Sequence, residues 1–268
     1  MTLAHDVAGD PGAPSVLLVH AGVADRRMWD AVAPALAHTF RVIRPDLRGF
    51  GDSPLPVGDT QGYTNAGDLA GLLDELGVAD AAVVGASFGG EVALELATAH
   101  PGRVRELVLL CPAAPGVPGT AVSDTFDAEE GRLLAVGDVE GAVRLNVSTW
   151  LGPDADDAAA TALAAMQRRA FEVQLAADGA ASAAGLPEPG PAEVEVDLAG
   201  IHVPTFVVEG AHDMDFLRAC ARHVAASVPG AELSLLEWAG HLPALERPDA
   251  ILTLLLDVLR DDPTVHAP

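Results

Sequence analysis

Lysine is absent from the 268 residues, and all fifteen basic side chains are Arg. That excludes a Schiff-base lysine and a lysine general base. Aromatic residues make up only 4% of the chain, so Ala, Val and Leu must fill the core, and few surfaces are left on which a large planar ligand could stack. The two cysteines, Cys111 and Cys220, are too few for a disulfide framework and have no CxxC neighbour. Cys111 ends an apolar run and Cys220 lies in a helical pattern, so both read as small buried hydrophobes. Residues 1–10 have neither a basic nor an apolar signal region, and no run approaches the ~18 apolar residues of a membrane span. A cytoplasmic protein is expected, without a membrane partner.

Positive charge is scarce as well. Fifteen basic residues face thirty-nine acidic ones, a formal charge of −24, which opposes binding to nucleic acid or anionic lipid. Half the residues are apolar, too many for a disordered acidic chain. A Lys-free chain rich in Ala, Gly, Pro and Arg reads as a coding bias rather than the mark of a partner. The length suits one large domain or a domain carrying an insertion.

Short apolar runs recur at residues 15–19, 41–44, 81–85 and 104–111, and again at 205–209 and 232–236. The first four lack in/out alternation, as in strands covered on both faces of a parallel sheet. Helical patterns lie between them, at 64–76 with Leu69, Leu72, Leu73 and Leu76 on one stripe, and at 88–99. A last helix is expected at 250–259. The alternation of strand and helix predicts an α/β sheet with right-handed crossovers. Residues 113–200 hold no convincing strand, only helix-like stretches near 124–135, 139–149 and 155–177. Residues 180–191 read as a flexible piece. The expected organisation is a sheet domain over 1–112 and 201–268 with a helical insertion over 113–200.

Gly85-Ala86-Ser87-Phe88-Gly89 follows a strand and opens a helix, which is the G-x-S-x-G pattern in its expected setting. With eight Ser and Gly at about a tenth of the residues, roughly 0.08 such matches arise by chance. Small neighbours let the backbones pass closely and lift the hydroxyl at the carboxyl end of the sheet. The helix N-terminus behind it favours developing negative charge. The alternative is a Gly-rich turn whose serine merely caps the helix.

A serine nucleophile needs a base, and the base needs a carboxylate. In such a sheet the acid follows the nucleophile and the histidine comes last. Asp213 lies in the turn after the 205–209 strand, and His241 in the loop after the 232–236 strand. Glu209 and Asp215 are alternatives to Asp213. Of the other histidines, His5, His38, His100, His202, His223 and His266 lie on termini, helices or the wrong strand ends, and His212 reads as a turn residue. Acyl transfer also needs two N–H groups aimed at the oxyanion. Phe88 supplies one, and Gly22 or Val23, in the loop after the first strand, the other. His20 in that loop reads as a structural ring.

Together these residues resemble the α/β-hydrolase fold family over nearly the whole chain. His20-Ala21-Gly22 is similar to its His-Gly-x oxyanion segment, which implies Gly22 as the donor. Residues 44–53, Arg-Pro-Asp-Leu-Arg-Gly-Phe-Gly-Asp-Ser, are similar to its D-x-R-G-x-G-x-S loop, a structural element. Ser87, the Gly210–Asp213 turn and Gly240-His241 match the elbow, acid and base. The resemblance implies a mostly parallel central sheet flanked by helices, with 113–200 as a helical cap over the site. Members begin with a strand pair, and here only residues 2–7 are available, so a missing or displaced first strand is expected.

The expected activity is a serine hydrolase of the Ser87–His241–Asp213 type. It would cleave an ester or lactone of a small neutral molecule through an acyl-enzyme, with Gly22 and Phe88 as oxyanion donors. Neither metal nor cofactor is expected, since ligand spacings, a P-loop and a Rossmann glycine pattern are missing. The expected partner is a small-molecule substrate, and no sequence feature sets an oligomeric state. Val23, Leu242, Trp150 and Met166 are candidate pocket residues. Phe126 and Leu145 share with Trp150 and Met166 the competing reading of plain helical core. Alternatives on the same triad are C–C bond hydrolysis and cofactor-free perhydrolysis of the haloperoxidase type. A non-catalytic small-molecule binder is the reading from another class. Dehalogenation and epoxide opening need Asp where Ser87 stands.

Overall fold

The six apolar runs become six strands of one seven-stranded sheet, and residues 5–8 add the seventh. The computed structural model describes residues 3–58 and 62–260. The strands are β1 (His5–Ala8), β2 (Ser15–Val19), β3 (Arg41–Pro45), β4 (Ala81–Ala86), β5 (Val104–Leu110), β6 (Thr205–Gly210) and β7 (Glu232–Leu236). Their order is β1-β3-β2-β4-β5-β6-β7. β1 runs antiparallel to β3 and every other pair is parallel.

The missing alternation has its expected cause, since every residue of β2 and β4 is buried. Successive residues feed opposite faces of the sheet. Leu17, Val83, Leu107 and Val207 join one core cluster, and Val16, Leu18, Val84, Val108 and Val208 the other. Burying each such Val or Leu contributes about 1.5–3 kcal/mol. β7, at the sheet edge, is half-exposed. Among the described residues a single short strand, not a strand pair, precedes β2. β1 has four residues and pairs only with β3, while Thr2, the start of the stretch read as available, lies outside the described residues.

The helices are α1 (Ala33–Leu36), α2 (Asn65–Glu75), α3 (Phe88–Ala99), α4 (Ala121–Ala135), α5 (Val139–Trp150), α6 (Asp157–Ala184), α7 (Asp215–Ser227), α8 (Pro243–Glu246) and α9 (Pro248–Arg260). α2 starts where Thr64 Oγ1 accepts the Gly67 N–H at 2.9 Å. α4, α5 and α6 fall between β5 and β6, and no strand occurs among the described residues of 113–200. These helices share a small core of Leu133, Ala142, Val143 and Phe171. α6 runs past the 155–177 read from the sequence and takes in the first part of the supposed flexible piece. Its stop is Gly185 in the left-handed region at φ 67°. Among the described residues, no helix is long and apolar enough to cross a membrane.

The parallel register brings the carboxyl ends of β2, β4, β6 and β7 to one edge. Val19 lies opposite Gly85, and Gly210 opposite Leu236. The loops carrying His20–Val23, Ser87, Asp213 and His241 all leave from that edge, where an open α/β sheet presents its ligands.

Candidate active site

Ser87 stands alone between β4 and α3, with φ 54° and ψ −121°. A non-glycine residue at positive φ is strained, and that strain is held by the packing around it. A Cβ at Gly85 would fall 2.3 Å from Gly89 O, and one at Gly89 would fall 2.4 Å from His20 O. Neither position can carry a side chain, which is the physical content of the G-x-S-x-G spacing. Ser87 N–H donates to Leu110 O at 3.0 Å and anchors the turn on β5.

The three polar residues meet in a line. Ser87 Oγ–H donates to His241 Nε2 at 2.7 Å, and His241 Nδ1–H donates to Asp213 Oδ2 at 2.8 Å. The other oxygen of Asp213 accepts the Met214 N–H at 2.6 Å. The side chains of His241 and Asp213 are 3% and 1% exposed, so water competes little for either bond. Such a relay can draw the proton from the serine oxygen onto the ring and hold the ring in one tautomer.

The alternative acids are occupied elsewhere. Glu209 accepts from Arg218 at 2.7 Å and from Arg222 at 2.8 and 2.6 Å. Burial opposes its ionisation, yet these hydrogen bonds hold its carboxyl below the usual range. Asp215 accepts from Thr120 Oγ1 and from the Phe216 N–H, each at 2.8 Å. His20 is fixed inside its own loop. Its Nδ1–H donates to Ala21 O at 2.8 Å and its Nε2 accepts the Leu47 N–H at 2.9 Å, while burial lowers its pKa.

Gly22 and Phe88 are neighbours across the site, and a Cβ on Gly22 would lie 3.3 Å from Phe88 Cβ. Phe88 is the first residue of α3, so its N–H has no intrahelical acceptor. Ser87 and His241 open into a cavity of about 230 Å³ whose wall includes Gly22, Val23, Phe126, Trp150, Met214 and Phe216. The Trp150 ring lies 4.9 Å from the His241 ring, and Phe126 meets Trp150 edge-on at 4.8 Å.

Two pocket expectations need correction. Met166 faces a separate cavity beneath α6, lined also by Met28, Ala162 and Leu245. Leu242 is fully buried in the core with Leu163 and Leu217, because the chain turns inward after His241 to begin α8. Leu145 packs among the inserted helices. The wall contributed by Ser123, Asp124 and Asp127 was not read from the sequence. Its signal was Phe126, since residues 123, 126 and 127 share one helical face. Met214 and Phe216 were also missed, although they adjoin Asp213 in sequence.

One trio among the described residues, Cys111, Asp213 and His241, places three potential ligand atoms within 4.8 Å of one another. Burial, and then the charge of Asp213, push the Cys111 thiol well above its ordinary value. Asp213 and His241 already bond each other at 2.8 Å.

The family model for the alpha/beta hydrolase fold matches residues 14–248. The chain is 30% identical over 263 residues to the pimeloyl-[acyl-carrier protein] methyl ester esterase of Aromatoleum aromaticum, covering 92% of this chain and 98% of that one. Among solved structures it resembles the enol-lactonase of Burkholderia xenovorans, with TM-score 0.76, 28% identity, and coverage of 97% and 96% of the two chains. It also resembles a thermophilic esterase of Thermogutta terrifontis, with TM-score 0.77, 27% identity, and coverage of 99% and 94%. The chain belongs to the alpha/beta hydrolase fold family and is an enzyme of the hydrolase type.

Proposed function

We propose that the protein is a serine hydrolase that cleaves an ester or lactone of a small neutral molecule. The carrying observation is the continuous Ser87–His241–Asp213 hydrogen-bonded line at the floor of a walled cavity. Similarity to a methyl ester esterase and an enol-lactonase supports the same bond class.

In this reading Ser87 Oγ attacks the substrate carbonyl while His241 Nε2 takes its proton. The carbonyl oxygen becomes an oxyanion held by the N–H of Gly22, in the loop after β2, and the N–H of Phe88, at the start of α3. His241 returns the proton to the departing alkoxide, leaving an acyl-Ser87 ester. Water then attacks that ester with His241 as base, releasing the acid and restoring Ser87. Asp213 fixes the ring tautomer and stabilises the imidazolium. Residues 113–200 act as a cap: Ser123, Phe126 and Trp150 contribute to the cavity wall. The preference for neutral over anionic substrates rests on the lining, which holds Asp124 and Asp127 and no Arg.

The test is Ser87→Ala. Hydrolysis of p-nitrophenyl butyrate and labelling by a fluorophosphonate probe should both vanish with the fold intact. Retained turnover in that variant would refute the assignment.

A further inference from the structure

Glu246 is a buried carboxylate, 6% exposed, that no step above uses. It lies at the end of α8, five residues beyond His241. Its Oε2 accepts the Gly240 N–H at 2.8 Å and its Oε1 accepts the Leu242 N–H at 3.1 Å, so the two oxygens grip the backbone on either side of the base. The backbone of Gly152, just past α5, lies close by and helps to stabilise the charged form. Among the described residues no Arg pairs with it, and the adjacent Arg247 pairs with Asp154 instead. Burial raises its pKa, while the surrounding backbone N–H groups work the other way by stabilising the charged form.

The base loop and the inserted helices touch here without any side chain between them. A Cβ at Gly152 would fall 2.5 Å from both Gly240 N and Glu246 Oε2, and a Cβ at Gly240 would fall 2.4 Å from Gly152 N. His241 N–H itself donates to Trp150 O at 3.0 Å. The backbone of the base is therefore held by a carboxylate from below and by the end of α5 from the side.

We infer that Glu246 is a positioning residue for His241: its carboxylate joins the base loop to the end of α5, so that the imidazole reaches Ser87 only while the inserted helices are seated. The inference rests on the reading of Ser87, His241 and Asp213 as the catalytic groups. It assigns Glu246 no contact with substrate. A Gln at 246 keeps the shape and one acceptor oxygen, but its NH2 faces a backbone N–H. An Ala keeps neither acceptor.

The experiment compares wild type, Glu246→Gln, Glu246→Ala and Gly152→Ala, with Ser87→Ala as the reference for the underlying reading. For p-nitrophenyl butyrate, Glu246→Gln should lower kcat about 10-fold with KM within about 2-fold, because a misplaced base slows chemistry and leaves ground-state binding alone. Phosphonylation of Ser87 by a fluorophosphonate should slow by the same factor. Glu246→Ala should lose more than Glu246→Gln, and Gly152→Ala should repeat the kcat loss from the other side of the junction. Hydrogen exchange should rise together at residues 240–242 and at 150–152 in Glu246→Gln. If Glu246→Gln and Gly152→Ala keep kcat and phosphonylation within about 2-fold of wild type, the positioning role is overturned. Unchanged exchange at 150–152 overturns the coupling to the inserted helices, and that readout needs no turnover. A wild type that neither turns over esters nor takes the probe refutes the serine hydrolase reading instead.

Discussion

Replacing Glu95 by Gln should stabilise the protein at pH 8 and do little at pH 5. Glu95 lies on α3, one helical turn after Glu91, and its Oε2 is buried without a hydrogen-bond partner. Burial, and then the neighbouring Glu91, raise its carboxyl from the ordinary 4.5 to about 7. Glu91 is itself pushed up by burial. A raised carboxyl pKa means that the folded state holds its proton more tightly than the unfolded state. The stabilising protonated form is fully present below pH 4.5, and its benefit fades as pH climbs to about 7. At about 1.4 kcal/mol per pKa unit, a fully enclosed carboxyl displaced this far would cost about 3 kcal/mol at pH 8. Glu95 is half-buried, so solvent screening brings the expected gain for Gln down to about 1 kcal/mol. Urea denaturation of wild type and Glu95→Gln at pH 5 and pH 8 measures it. Equal gains at both pH values, or a loss at pH 8, would refute the reasoning.

Three further outcomes concern the site. Asp213→Asn should keep the fold and KM but lower kcat by about four orders of magnitude, since the ring loses its tautomer lock; steady-state kinetics on p-nitrophenyl butyrate reads this. Phe126→Ala should enlarge the cavity beside Trp150 and move the optimum of an acyl chain-length series upward, with kcat/KM for the longer esters rising at least about 3-fold relative to butyrate. An ester bearing a carboxylate should show low kcat/KM that rises with ionic strength, while a neutral ester stays flat. A flat response for both would remove Asp124 and Asp127 from the account of selectivity.

The sheet and the serine–histidine–aspartate line were legible because each depends on local sequence. A strand buried on both faces must read as an apolar run, and a tight turn beneath a serine must have small residues at 85 and 89. The ends of such strands fix where Asp213 and His241 emerge. The cavity wall was less legible. Helical spacing says that Met166 has an apolar neighbourhood, but not which side of α6 meets the site. Leu242 illustrates the same gap, because adjacency to His241 in sequence placed it one residue beyond an inward turn. α6 outran its predicted end because Gly179, which reads as a stop just past 177, stays helical among its Ala neighbours, and the helix ends only at Gly185 in the left-handed region. Glu246 carried no motif at all. A carboxylate that accepts from the backbone N–H groups on both sides of the base is visible only when those groups converge.

The positive φ at Ser87 has a consequence for what position 87 can become. The backbone there is held by its surroundings: glycines packed against it, a hydrogen bond to Leu110 O, and a helix starting at the next residue. None of these contacts involves the serine oxygen. The turn is thus a socket whose shape is independent of its occupant. A side chain unbranched at Cβ fits it: Cys exchanges the reacting atom alone, and Asp carries a carboxylate in place of the hydroxyl. A β-branched Thr does not, because its second γ substituent crowds a backbone already in the left-handed region. Geometry and reactivity are therefore separable at this residue, and a change of chemistry requires no change of fold.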